Sequence, residues 1–226
     1  MKYETIIWDL DGTLMYTLED LKISLNYALR KNHMPERTLD EVCHFVGNGV
    51  RRLIELAIPD NTKSDMLENV FLDFKQHYVK HCQDNSGLYP GIAETLKILK
   101  ERGVRMAVVS NKLQKGVTEL FTSHVHTVGK NDDIKLCDYI EIGIGESPEI
   151  AKKPAADMVL RALNELGVSK DGAIYIGDSE VDVATAHNSG IPCISVLWGF
   201  RDREFLIENG AELFAETPED IISYIF

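Results

Sequence analysis

The sequence lacks the features that would commit it to a membrane, an oxidising compartment or a nucleic acid. No apolar run approaches the roughly 18 residues of a spanning helix, and the opening residues lack the charged-then-apolar pattern of a secretory signal. The four cysteines (Cys43, Cys82, Cys137 and Cys193) are scattered, with no Cys-x-x-Cys pair. That pattern reads as reduced thiols in a cytoplasmic protein and argues against disulfides and structural zinc. Basic residues are too few to balance the acids: 24 Lys and Arg against 36 Asp and Glu leave a net charge of −12. Such a surface repels nucleic-acid backbones and anionic membranes. It would also repel a small phosphorylated metabolite, so any anion site must be made locally positive. Internal repeats and low-complexity tracts are missing too.

What is present is enough for a sizeable core. The chain has 226 residues, of which 44% are hydrophobic. Short apolar runs at 5–8, 104–109 and 173–176, with weaker ones at 139–142 and 194–197, alternate with helical patterns. Ile92, Leu96 and Leu99 share one helix face, and Gly103 closes that helix; Gly167 and Gly190 are expected to stop two more. Strands separated by helices imply right-handed crossovers and a parallel sheet covered on both faces, a Rossmann-like, doubly wound α/β core. Residues 18–85 differ. Leu18, Leu21, Leu25 and Leu29 recur at helical spacing, as do Val70, Phe71, Phe74 and Tyr78. The expected organisation is therefore a core of residues 1–15 and 88–226, interrupted by an all-α cap of residues 16–87. Planted just after the first strand, the insert is expected to serve as a lid, with hinges near residues 15–18 and 85–88.

The first strand stops at two carboxylates one residue apart, Asp9 and Asp11, followed by Gly12-Thr13. Carboxylates this close repel unless a cation or a shared proton compensates. The second strand leads into Ser110-Asn111-Lys112, and the third into Gly177-Asp178-Ser179-Glu180-Val181-Asp182. Polar groups at the carboxyl ends of parallel strands lie where open α/β sheets bind ligands. Each has a plainer reading. Ser110 and Asn111 make good helix caps, and Asp182 suits a helix N-terminus. Lys152 and Lys153 could be a solvated basic pair. A calcium-loop reading of Asp9 and Asp11 fails, because Gly12 falls two positions too early. Gly47-Asn48-Gly49 is no dinucleotide fingerprint, because no strand precedes it and a third glycine is missing. His77 and His81, spaced i, i+4, read as a polar helix face.

In order, Asp9-x-Asp11-Gly12-Thr13, Ser110-Asn111, Lys153-Pro154 and Gly177-Asp178-Ser179-x-x-Asp182 resemble the haloacid dehalogenase-like superfamily of phosphohydrolases. The likeness runs over nearly the whole chain, and the insert resembles that family's helical cap of the first type. Phe45-Val46-Gly47-Asn48-Gly49, Tyr89-Pro90-Gly91 and Val109-Ser110-Asn111-Lys112 are similar to its phosphoglycolate phosphatases. The resemblance implies that Asp9 is a nucleophile forming an aspartyl-phosphate and that Asp11 is the general acid and base. Ser110 and Asn111 would donate to the phosphoryl oxygens, and Thr13 is grouped with the substrate-binding residues. Lys153, directly before the proline, would neutralise charge. Asp9, Asp178 and the backbone carbonyl of Asp11 would hold Mg²⁺, with Asp182 behind them or as an occasional ligand. In the cap, Gly47, Asn48, Arg51 and Arg52 would select the substrate, although the two arginines read equally well as surface residues.

The chain departs from the family at Tyr16-Thr17, where many relatives carry Asp-Ser, which puts cap anchoring and fine specificity in question. Asp11, the second acid, argues against carbon–halogen chemistry, and Gly12-Thr13 suits a phosphatase better than a mutase. The expected activity is Mg²⁺-dependent hydrolysis of a small phosphorylated metabolite, foremost 2-phosphoglycolate, by a monomer or homodimer. Pyrophosphatase, sugar-phosphate phosphatase, mutase and a non-enzymatic phosphate sensor are the alternatives.

Overall fold

The computed structural model describes residues 1–130 and 133–226. The chain runs β1 (Thr5–Trp8), β2 (Met15–Tyr16), then four helices: α1 (Leu18–Lys31), α2 (Leu39–Phe45), α3 (Val50–Ala57) and α4 (Ser64–His81). It continues through β3 (Gly87–Leu88), α5 (Ile92–Glu101), β4 (Arg105–Leu113), α6 (Gln114–Thr122), β5 (Val125–His126), β6 (Asp133–Ile134) and β7 (Ile142–Glu146). The last part is α7 (Asp157–Leu166), β8 (Ala173–Gly177), α8 (Glu180–Ser189), β9 (Cys193–Val196), α9 (Arg203–Glu208), β10 (Leu213–Ala215) and α10 (Pro218–Ile225). Two compact units result: residues Met1–Tyr16 with Leu88–Phe226, and residues Thr17–Gly87.

The first unit is an α/β domain built on a six-stranded parallel sheet in the order β10-β9-β8-β1-β4-β7. Its central strands carry apolar runs, at 6–8, 106–109 and 173–176, where both of their faces are covered. Side chains alternate between the faces: Ile6, Trp8, Met106, Val108, Ile174 and Ile176 join one core cluster, and Ile7, Ala107, Val109, Ala173 and Tyr175 join the other. Ile92, Leu96 and Leu99 of α5 are buried against the first. Gly167 and Gly190 cap α7 and α8 in the left-handed region, as their positions after the apolar periodicity imply.

In the six-stranded sheet, β4 runs on through Ser110-Asn111-Lys112 to Leu113, and two further strands differ from the sequence expectation. The weak run at 139–142 is displaced toward the C-terminus, and the strand is Ile142–Glu146. Its glycines conceal it, and packing demands them. A Cβ on Gly145 would fall 2.7 Å from the carbonyl oxygen of Lys112, and one on Gly143 would press on Phe121 and Val117. The edge strand β10 has only three residues, too few to show a pattern.

The second unit is all-helical. Leu18, Leu21, Leu25 and Leu29 of α1 are buried, as are Val70, Phe74 and Tyr78 of α4. Thr38 and Glu41 form a reciprocal capping box that starts α2. Asp20, almost fully buried, accepts hydrogen bonds from the Asn85 backbone and side chain and from the Ser86 hydroxyl at 2.6–3.0 Å. It thereby joins the start of this unit to its end.

Candidate active site

Three strand ends converge. Asp9 directly follows β1, and its N–H still donates to Ile176 of β8 at 2.8 Å. The chain then turns sharply: Leu14 and Met15 both return N–H groups to the carbonyl of Leu10. Gly12 makes that turn possible with a φ of +92°, and a Cβ there would sit 2.3 Å from a carboxylate oxygen of Asp178. Asp178 follows β8 and is held from two sides. The Thr13 hydroxyl donates to one oxygen at 2.9 Å, and the Phe200 N–H donates to the other at 2.9 Å. Gly199 lets that loop close in, since a Cβ would lie 2.2 Å from Asp178 Cβ.

Lys153 is the centre of the charge network. Its ammonium donates to Asp9 Oδ1 at 2.6 Å, to Asp182 Oδ1 at 2.7 Å and to the Tyr175 hydroxyl at 3.1 Å. Only 3% of the residue is exposed. The Asn111 amide fixes its backbone, accepting from Lys153 N–H at 2.9 Å and donating to Lys153 C=O at 3.1 Å. Asn111, expected on a phosphoryl oxygen, thus braces the lysine. Ser110, buried beside it, accepts the Lys112 N–H at 3.1 Å.

Asp182 sits where a helix N-terminal acid belongs, as the third residue of α8 in a capping box with Ser179. Its Oδ2 accepts from the Ser179 hydroxyl at 2.6 Å and from the backbone N–H groups of Ser179 and Asp178 at 3.1 and 3.2 Å. Its Oδ1 accepts from Lys153 and Tyr175. Both oxygens therefore accept from protein donors, an arrangement compatible with the place expected for it, behind the ligands or as an occasional one.

Asp9, Asp178 and Asp182 each bring a carboxylate oxygen within 4.8 Å of the others, and all three are buried. Lys153 pairs with Asp9 and Asp182, and with all three acids ionised the cluster would carry an excess of two negative charges. Burial, reinforced by Asp182 and Asp178 and opposed by Lys153, pushes the Asp9 carboxyl well above the usual carboxylate range. Burial and Asp182 push Asp178 up to about 7, against the pull of the Phe200 N–H and the Thr13 hydroxyl. Burial disfavours the Lys153 ammonium, yet Asp182 and Asp9 outweigh it and hold its pKa well above the ordinary lysine value. An all-oxygen, buried and charge-deficient cluster fits a hard dication. Asp9 and Asp178 have the oxygens best able to take one.

Sequence reasoning missed several participants. Lys112 places its ammonium on both oxygens of Asp11, at 2.9 and 3.1 Å. Tyr175, the Phe200 N–H and the Gly199 approach were also unforeseen, because their partners lie far away in the chain. The remaining expected residues, Gly47, Asn48, Arg51 and Arg52, belong to the helical unit. There Arg51 pairs with Glu68, and Arg52 with Glu55 at 3.2 Å.

Residues 6–196 match the haloacid dehalogenase-like hydrolase family. The chain belongs to that family. Among curated relatives, the phosphoglycolate phosphatase of Caulobacter vibrioides is 32% identical over 231 residues, covering 98% of this chain and 92% of its own. That of Aquifex aeolicus is 30% identical over 195 residues, covering 86% and 85%. A solved structure from Lactobacillus delbrueckii subsp. bulgaricus, provisionally named a phosphoglycolate phosphatase, superposes with a TM-score of 0.91 at 33% identity, covering 100% of this chain and 99% of its own. This haloacid dehalogenase-like hydrolase is an enzyme of the phosphatase kind. No helix among its described residues is long and apolar enough to cross a membrane.

Proposed function

We propose that this hydrolase is a Mg²⁺-dependent phosphatase of a small phosphorylated metabolite, with 2-phosphoglycolate the leading candidate. The observation that carries the reading is the state of Asp9. Lys153 holds one of its carboxylate oxygens, and the other takes no hydrogen bond from any described residue. An unencumbered carboxylate oxygen in a buried, cation-lined site is a nucleophile suited to phosphorus.

The chemistry then runs in two displacements. Asp9 Oδ2 forms a bond to phosphorus as the ester P–O bond breaks, and the leaving alkoxide takes a proton from the Asp11 carboxylic acid. Asp11, now a carboxylate, accepts a proton from the water that attacks the aspartyl-phosphate. Inorganic phosphate leaves and Asp9 is restored. Lys153 balances the charge that moves through Asp9, and the Ser110 hydroxyl would donate to a phosphoryl oxygen. Asp9, Asp178 and the Asp11 backbone carbonyl would hold Mg²⁺, whose charge lets a carboxylate approach a phosphate anion.

The substrate reading draws on the names of the relatives and on cap residues similar to theirs. We read the helical unit as the specificity domain, with Gly47, Asn48 and one of Arg51 or Arg52 gripping a substrate carboxylate. The test is released phosphate across a panel of esters with Mg²⁺ present. Phosphoglycolate should turn over fastest. Faster turnover of hexose phosphates or pyrophosphate would remove the substrate, and no release from any ester would remove the phosphatase.

A further inference from the structure

We infer that Lys112 is a positioning residue that holds the Asp11 carboxylate in its working orientation; the inference rests on the reading of Asp11 as proton donor to the leaving group. The two residues are 101 positions apart in the chain and lie in the same α/β unit. The Lys112 ammonium contacts both oxygens of Asp11, and the Lys112 side chain is only 5% exposed. No other described residue hydrogen-bonds the Asp11 carboxylate. Among the described residues, Lys112 alone orients it by hydrogen bonds.

The backbone around Lys112 is shaped to deliver it. β4 pairs regularly with β7 as far as Val109 and Ile144, then shifts register before Leu113 meets Glu146. Within that irregularity three successive residues take different partners. The Ser110 hydroxyl accepts the Lys112 N–H, Asn111 braces Lys153, and the Lys112 side chain reaches Asp11. One glycine is required there, and another lies against the lysine stem. A Cβ on Gly116 would lie 3.4–3.5 Å from Cγ, Cδ and Cε of Lys112, so the lysine stem rests across that point of α6. Gly145 admits the Lys112 carbonyl on the other side.

An aspartate carboxylate turns about two side-chain bonds and, without a hydrogen-bond partner, samples several orientations. A two-point grip selects one. Proton donation requires an oxygen within hydrogen-bond reach of the leaving oxygen, and a misplacement of about 1 Å can cost about 100-fold in rate. Lys112 acts through Asp11 and has no other part in the chemistry.

The test compares leaving groups. Values of kcat/KM, which cover the steps through P–O cleavage, are measured with an alkyl phosphate and with p-nitrophenyl phosphate, whose phenolate leaves without a proton. Lys112→Met should lower the alkyl value about 10-fold or more relative to the nitrophenyl value, and Lys112→Arg should recover most of that loss. Asp11→Asn should shift the same ratio, and adding Lys112→Met to it should shift the ratio no further, as expected of residues acting as a unit. Equal losses on both esters in Lys112→Met, with the Asp11→Asn ratio shifted, would overturn the role of Lys112 and spare that of Asp11. An unshifted ratio in Asp11→Asn would overturn both. Thermal melts verify folding, and Lys112→Gln, which is uncharged and one atom shorter, gives the same readout should the methionine variant not fold.

Discussion

The two units handle charge in opposite ways. In the α/β unit, Lys153 and Asp9 are 3% and 9% exposed and locked to each other and to Asp182. In the helical unit, Arg51 and Glu68 are 51% and 45% exposed, and Arg52 and Glu55 form a similar pair. Buried ions are expensive, because desolvation can exceed their mutual attraction. Exposed pairs are cheap and contribute little, because water screens them. A fold that gathers three carboxylates and an ammonium at one sheet edge is poorly explained by stability. The same residues are well explained by chemistry, which needs a carboxylate oxygen held near a cation in a dry setting.

The sharpest break of this comparison is Asp9→Asn. The amide is nearly isosteric and can still accept from Lys153, so the fold should persist while the nucleophile is lost. Phosphate release should fall on the order of 10⁴-fold or more, with a melting temperature at least that of the wild type. Retained turnover would show that another group attacks phosphorus. Lys153→Met comes next. It leaves Asp9 and Asp182 facing each other without compensation, and breaking a buried pair in this way costs about 3–5 kcal/mol. Chemical denaturation should report that loss together with a collapse of activity. A small stability change would mean that the Tyr175 and Ser179 donors suffice for Asp182.

These two predictions fall on residues that the sequence exposes, and the reason is physical. Asp9, Asp11 and Asp178 stand out because acids that end apolar runs break the pattern of a core strand. The parallel sheet was legible from the same contrast, since β1, β4 and β8 carry apolar runs where both of their faces are covered. β7 was misplaced because close packing imposed glycines on it. Tyr175 reads as one more core residue, and nothing local reveals that its hydroxyl meets Lys153 and Asp182. The i, i+4 spacing of Asp178 and Asp182 was visible, but spacing does not reveal that both oxygens of Asp182 accept from protein donors. The Lys112–Asp11 pair joins segments a hundred residues apart and leaves no trace in either.

A smaller effect separates the units by pH. Asp178 is held near 7 in the fold, above its ordinary value of 3.8. Between those values the folded protein keeps a proton that the unfolded chain has released, so stability falls as pH rises. The contribution is fully present below about 4 and lost as pH passes 7. Metal-free protein in chelator should therefore melt at lower temperature at pH 7.5 than at pH 5. Mg²⁺ should reverse that trend at pH 7.5, because a ligand bound only to the folded state stabilises it. Asp178→Asn should flatten the metal-free slope and abolish the Mg²⁺ gain. An unchanged slope in that variant would place the titrating group elsewhere.

The smallest effect is expected in the helical unit, and it asks whether its arginines are more than a solvated face. Arg51→Ala and Arg52→Ala remove exposed partners of Glu68 and Glu55, so the melting temperature should stay within about 2 °C of the wild type. Each guanidinium is already engaged by a carboxylate of its own unit, and a substrate would have to compete for it. One of the two variants should raise KM for phosphoglycolate about tenfold with kcat preserved, and the other should change it less than about 3-fold; less than about 3-fold in both would remove the arginines from the site. A rise of tenfold or more for phosphoglycolate, absent for an ester without a carboxylate, would show that this arginine leaves its glutamate to grip the substrate. The helical unit would then hold charge in reserve for binding, as the α/β unit holds it in place for catalysis.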